Sequence, residues 1–254
     1  MKVGSLFSGI GGFDLGLERA GFSIEWQVEI DEYATRVLTK HWPNVPKYGD
    51  IRSIDWSTVA PVDVLCGGFP CQDLSYAGER AGLREGTRSG LWFEYLRAIR
   101  SLRPKYILVE NVSGLLDNHA LGRVLGDLAE SGYDAEWDCI RAYNFGLPMQ
   151  RDRVWIISYP SRFNGRKTSV LEPSRFRRTQ VQFRRFSSLP TSVKEIGEWE
   201  NDCQPRMVRK INGVSSQVDR LKGLGNAVVP QIVEALGKMI MEVEHGNHER
   251  GIRA

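Results

Sequence analysis

The chain has 254 residues, 41% hydrophobic and 26% charged, an ordinary globular balance with ample apolar mass for a core. A formal charge of +3 and a pI near 8.7 permit nucleic-acid binding without demanding it, so the placement of charge matters more than its sum. Cys66, Cys71, Cys139 and Cys203 form no C-x-x-C pair and have no histidine at ligand spacing, which argues against a zinc site or a disulfide framework.

Taken in chain order, the first two-thirds alternates strand and helix patterns. Apolar runs predict strands over 2–6, 24–30, 62–66, 105–109, 136–142 and 153–158. Helical periodicity predicts helices over 13–20, 31–41, 89–102 and 119–131. In the third helix Ser89 is the expected cap, Leu91, Trp92, Tyr95, Leu96 and Ile99 share a face, and Arg103-Pro104 is the stop. Such alternation predicts an α/β fold, a Rossmann-like, doubly wound, mostly parallel sheet with helices on both faces. Residue 2 enters a strand that runs into a glycine turn, unlike a signal peptide, and no apolar run nears the roughly 20 residues that span a bilayer. The expectation is a soluble, cytoplasmic protein with no membrane partner.

Beyond Pro160 both periodicities fade. The stretch 161–190 holds Arg162, Arg166, Lys167, Arg175, Arg177, Arg178, Arg184 and Arg185 against Glu172 alone, interleaved with Phe163, Phe176, Phe183 and Phe186. Arginines can grip phosphates and aromatics can wedge against bases; a solvated charged face is the plain alternative. Order returns near Val218 with a Gly-Leu-Gly-Asn turn, and Pro230 opens a final helix predicted over 229–243, with a polar, fraying tail at 245–254. The predicted organisation is a catalytic and cofactor-binding domain over 1–160 and 216–254, with a small irregular domain over 161–215.

In an open α/β sheet, ligands bind outside the carboxyl ends of the strands. After the first predicted strand stands Phe7-Ser8-Gly9-Ile10-Gly11-Gly12, where glycines permit a tight turn against a helix start. Glu29 ends the second strand, where an acid can hold ribose hydroxyls. Phe7 occupies the place of the first glycine in a dinucleotide turn. An aromatic there would obstruct a pyrophosphate but can line an adenine pocket, favouring S-adenosylmethionine over a nicotinamide cofactor. After the third strand comes Gly67-Gly68-Phe69-Pro70-Cys71-Gln72. Pro70 stiffens the backbone before Cys71 and drives Phe69 extended. Cys66, inside the apolar run, is by contrast an ordinary core cysteine. After the fourth comes Glu110-Asn111-Val112, which brings a carboxylate to the same rim as the thiol.

Together with Arg151-Asp152-Arg153 and Gly225-Asn226-Ala227-Val228, these segments resemble, in order, the motifs of the DNA (cytosine-5) methyltransferase family. The resemblance spans nearly the whole chain apart from about residues 161–215. It implies transfer of a methyl group from S-adenosylmethionine, giving S-adenosylhomocysteine without a metal, to carbon 5 of a cytosine within a specific sequence of double-stranded DNA. By resemblance Phe7, Gly9, Ile10, Gly11 and Gly12 hold the cofactor, Glu29 and Ile30 its ribose side, Asp50 and Ile51 its adenine side, and Asn226 and Ala227 close the site. Cys71 matches the nucleophile, Glu110 the group at N3 of the base, Arg153 the group at its O2, with Arg151 beside it. The expected DNA contacts are Gln72, Ser75, Arg80, Arg84, Arg88, Arg175, Arg177, Arg178, Arg184 and Arg185. A prokaryotic or phage setting, a monomeric state and a companion restriction endonuclease belong to the same expectation. The chain departs from the family at Asp73-Leu74, where Pro-Phe is usual, and at Met149, where glutamine is usual.

The chemistry requires these groups. Addition of a thiolate to C6 makes C5 enamine-like, so that it can attack the methyl group of the cofactor; a base then removes the C5 proton and the thiolate leaves. About a few per cent of an ordinary thiol is ionised at neutral pH, and neighbouring cations raise that share. A buried, protonated Glu110 can donate to N3 as charge develops there. The cytosine must leave the duplex stack to reach them. Gly78, Gly82, Gly86 and Gly90, alternating with Arg80, Arg84 and Arg88, suit a basic lid better than a helix. The rival readings are an RNA cytosine-5 methyltransferase, a catalytically silent DNA-binding protein and a nicotinamide oxidoreductase; the last two sit poorly with Cys71, Glu110 and Phe7.

Overall fold

Seven strands form one sheet in the order β3-β2-β1-β4-β5-β7-β6 in the computed structural model, which describes residues 1–70, 90–116, 120–145, 151–161, 169–171 and 227–251. They are β1 (Lys2–Leu6), β2 (Ser23–Val28), β3 (Lys47–Tyr48), β4 (Val64–Gly67), β5 (Tyr106–Val112), β6 (Tyr133–Arg141) and β7 (Asp152–Pro160). The first five run parallel, whereas β7 inserts antiparallel between β5 and β6. This is the mostly parallel, doubly wound α/β architecture expected from the alternation of patterns. The two-residue β3 is too short to show a period and has no counterpart in the sequence reading.

Among the described residues five helices accompany the sheet: α1 (Gly12–Arg19), α2 (Glu32–His41), α3 (Leu91–Leu102), α4 (Ala120–Glu130) and α5 (Pro230–Gly251). One core joins Trp92, Tyr95 and Ile99 of α3 and Val124 and Leu128 of α4 to Leu65, Ile107 and Val109 of the sheet. The opposite core joins Phe13 and Leu17 of α1 and Val233, Leu236 and Ile240 of α5 to Val3, Val64 and Leu108. The alternation of sides along β4 and β5 follows from the two-residue period of a strand. Cys66 is fully buried, as its apolar neighbours require, and burial pushes its thiol well above the ordinary value.

Three boundaries differ from the pattern reading. Ser89 lies outside the described residues, and α3 is capped by Gly90 without a side-chain bond; Arg103, at φ 50°, ends it as expected. α5 continues to Gly251 instead of ending near residue 245. β5 extends through Glu110, Asn111 and Val112, because β7 pairs with it as far as Val112 opposite Arg153. Val170, assigned by sequence to the irregular domain, is 1% exposed within the α1/α5 core. No helix among the described residues is long and apolar enough to cross a membrane.

Candidate active site

The strand order reverses between β1 and β4, which lie side by side while their connections lead to opposite edges. This is the switch point at which open α/β sheets open a crevice. The Phe7–Gly12 turn leaves β1 on one side of it, and Gly67-Gly68-Phe69-Pro70 leaves β4 on the other.

The turn is drawn tight by Ser8 N–H donating to the Val28 carbonyl (3.0 Å) and Gly11 N–H to the Ser8 carbonyl (2.9 Å). Phe7, Gly9 and Gly11 all have positive φ, of 50°, 55° and 89°. For Phe7 this is a sparsely allowed conformation, held where it packs at the edge of the α3 core and within 6.4 Å, ring to ring, of Tyr95. A Cβ at Gly9 would meet nothing within 4 Å, so the turn is open there. Gly11 and Gly12 serve packing: a Cβ would come within 2.5 Å of the Trp42 ring at Gly11 and within 2.5 Å of the Val228 carbonyl oxygen at Gly12. Val228, just before α5, therefore lies against the start of α1.

Glu29 is tied into the same turn. Its Oε2 accepts from Gly9 N–H at 2.7 Å and its Oε1 from Asp31 N–H at 2.8 Å. Each carboxylate oxygen retains a second acceptor site for a hydroxyl. A cleft of ≈ 460 Å³ lies beside it, lined by Glu29, Ile30, Lys47, Tyr48 and Gly49 among others, and Ile30 is 67% exposed there. An exposed aliphatic face beside a ribose-competent acid and an open glycine fits an adenosine group. Asp50 caps the next turn and is gripped by Arg52, Nη2 to Oδ2 at 2.5 Å, which holds its carboxyl below the usual range. Ile51 is buried, and its carbonyl accepts from Arg97 Nη2 at 2.8 Å.

On the other side of the crevice Glu110 is 8% exposed at the end of β5. Arg153 Nε lies 3.0 Å and Arg151 Nη2 4.0 Å from its Oε1. Burial raises the Glu110 pKa, and the two guanidinium groups work against that rise. The next side chain, Asn111, donates to the Phe69 carbonyl at 3.1 Å. A Cβ at Gly68 would stand 3.0 Å from Glu110 Oε2. Thus a side chain at 68 would crowd the Glu110 carboxylate, and Asn111 fixes the backbone two residues before Cys71. The motif was legible in the sequence; these two tasks were not, because they depend on the neighbouring strand.

The structure therefore brings together Phe7, Gly9, Ile10, Glu29 and Ile30 on one side, and Glu110, Arg151 and Arg153 on the other. Cys71, Gln72, Ser75, Arg80, Arg84, Arg88, Met149, Arg175, Arg177, Arg178, Arg184, Arg185 and Asn226 lie outside the described residues.

Comparison with known proteins agrees with this geometry. The Type II methyltransferase M.Eco47II of Escherichia coli is 42% identical over 161 residues, 60% of this chain and 38% of that protein. The Type II methyltransferase M.HpaII of Haemophilus parainfluenzae is 33% identical over 239 residues, 88% of this chain and 65% of that one. The chain thus spans less than two-thirds of the length of these relatives. A crystal structure of a putative DNA modification methyltransferase encoded in an E. coli prophage superposes with a TM-score of 0.53 at 27% identity, covering 63% of this chain and 47% of that one. The model of the C-5 cytosine-specific DNA methylase family matches residues 1–208, and the chain belongs to that family.

Proposed function

We propose that this protein transfers a methyl group from S-adenosylmethionine to carbon 5 of a cytosine in a specific sequence of double-stranded DNA. The observation that carries the reading is the buried Glu110 with Arg153 at 3.0 Å, placed across the crevice from the Glu29-bound glycine turn in a chain of this family. Glu29, Ile30 and the open backbone at Gly9 would hold the cofactor, with Asn226 and Ala227 closing it. The cofactor supplies an electrophilic methyl group.

Cys71 adds as thiolate to C6 of the extruded cytosine. Glu110, protonated, donates to N3 as negative charge gathers there, and Arg153 donates to O2 with Arg151 beside it. C5, made nucleophilic by that addition, takes up the methyl group as S-adenosylhomocysteine leaves; loss of the C5 proton to a base and expulsion of the Cys71 thiolate then restore the aromatic ring. The segment from Gln72 to Arg88 closes over the DNA, and the small domain carrying Arg175 to Arg185 reads it. Because Val170 is buried in the catalytic core, that domain is taken to begin after Leu171. The protein acts as a cytoplasmic monomer, with a companion restriction endonuclease as its expected system partner.

The test is incubation with duplex DNA containing 5-fluorocytosine and S-adenosylmethionine. A covalent protein–DNA adduct forms, and Cys71→Ala abolishes it. Methylation of normal DNA with no trapped species would overturn the mechanism, and methylation of transfer RNA in place of duplex DNA would overturn the substrate.

A further inference from the structure

Glu136 stands on β6, at the edge of the sheet and apart from the site described above. Its Oε1 accepts from the Tyr159 hydroxyl at 2.6 Å and from Val170 N–H at 3.0 Å. Its Oε2 accepts from the Ser169 hydroxyl at 2.6 Å and from Leu171 N–H at 2.8 Å. Four donors fill the four acceptor positions of one carboxylate.

The donors come from two places. Tyr159 is on β7, and Glu136 and Tyr159 are diagonal cross-strand neighbours, since Glu136 pairs with Ile157 and Tyr159 with Asp134. The other three belong to Ser169-Val170-Leu171, a tripeptide outside any helix or strand. An ordinary surface connection satisfies its amides with water. Here consecutive amides are given to a carboxylate, in the charge-assisted geometry that makes such bonds short and strong. Between them the Val170 side chain is 1% exposed in the core that also holds Ile157, Trp155 and Met239. A buried side chain fixes where this tripeptide sits, and paired amide bonds fix its orientation on the sheet edge.

We propose that Glu136 is a positioning residue for DNA recognition. It clamps the point from which the arginine-bearing segment beginning at Arg175 departs, and so sets the register of bound DNA against the Glu110–Arg153 site. The inference rests on the reading that this segment contacts DNA. Phosphate and base contacts made from a fixed base lose their alignment when that base slides, and misplacement by about 1 Å costs on the order of a hundredfold.

The test measures steady-state methylation with Glu136→Ala, Glu136→Gln and Tyr159→Phe in the full chain, together with affinity for S-adenosylhomocysteine and melting temperature. Glu136→Ala raises KM for cognate DNA by about tenfold or more and narrows the preference for that sequence, while cofactor affinity is unchanged. Glu136→Gln keeps one acceptor oxygen and gives an intermediate KM; it also serves if the alanine variant does not fold. Tyr159→Phe leaves the tripeptide's three bonds in place and stays close to wild type in KM. A lowered melting temperature with wild-type KM and sequence preference in Glu136→Ala or Glu136→Gln would overturn the proposal, reducing Glu136 to a stabilising contact. If the wild-type chain forms no adduct with 5-fluorocytosine DNA, the methyltransferase reading itself fails and this inference with it. If the adduct forms while the Glu136 variants keep wild-type DNA kinetics, only the clamp is lost.

Discussion

Arg153 Nε lies 3.0 Å from Glu110 Oε1, and the two residues belong to antiparallel neighbours, β7 and β5, paired two positions apart. Desolvation pushes the Glu110 carboxyl up, while Arg153 and then Arg151 pull it down, leaving it raised on balance. In the proposed reaction Glu110 acts protonated, so the rate it controls is expected to decline as pH rises through its pKa. Arg153→Ala removes the larger opposing charge, so that declining limb moves to higher pH even as the maximal rate drops. Single-turnover pH profiles of the two proteins check this; an unmoved limb, or one displaced to lower pH, refutes it.

Glu29 divides its carboxylate between the amides of Gly9 and Asp31. Glu29→Gln turns one acceptor into an NH2 group facing a donor, which loosens the turn and weakens a hydroxyl contact. Loss of a bond to a charged group costs about 1.5–3 kcal/mol, so the dissociation constant of S-adenosylhomocysteine rises roughly tenfold to a hundredfold. Calorimetry reads it directly, and unchanged affinity removes Glu29 from the cofactor site.

Asp14 is fully buried under the first turn of α1, accepting from Gln27 Nε2 at 2.7 Å and the Ser5 hydroxyl at 3.2 Å. Burial, the largest influence, pushes its pKa up to about 6. Between about pH 4, where an unfolded aspartate ionises, and pH 6 the folded state holds the extra proton, so stability declines as pH rises through that window. A shift of two units corresponds to roughly 3 kcal/mol. Asp14→Asn abolishes this part of the decline while retaining an acceptor for Gln27. Urea midpoints from pH 4 to 7 provide the comparison, and parallel curves for the two proteins would contradict it.

Gly12 and Gly122 respond oppositely to alanine. At Gly12 the new Cβ meets the Val228 carbonyl oxygen at 2.5 Å, backbone against backbone, for a cost of about 1–3 kcal/mol and a displaced start of α5. At Gly122, exposed on α4, it meets nothing within 4 Å, and the helix gains about 0.5–1 kcal/mol. Equal effects in thermal denaturation would show that α5 does not rest on α1 as described.

The apolar run 2–6 and the periodicities of 89–102 and 229–243 were enough to place β1, α3 and α5, because the strand is buried almost throughout and each helix buries one regular face bounded by a strong breaker or a proline. The glycine turn, Glu29, Glu110 and the arginines at 151 and 153 were likewise legible, since side-chain chemistry and chain order are local properties. The tasks of Gly68, Asn111, Gly12 and Glu136 were not. Each is defined by an atom 23 to 216 residues away in sequence, from Tyr159 for Glu136 to Val228 for Gly12, and spacing carries no record of such a neighbour. Only the antiparallel insertion of β7 between β5 and β6 decided that Arg153 would stand beside Glu110 and that Glu136 would bind Ser169–Leu171. Strand pairing is chosen by the burial of both sheet faces at once, a condition met by the assembled chain rather than by any segment of it.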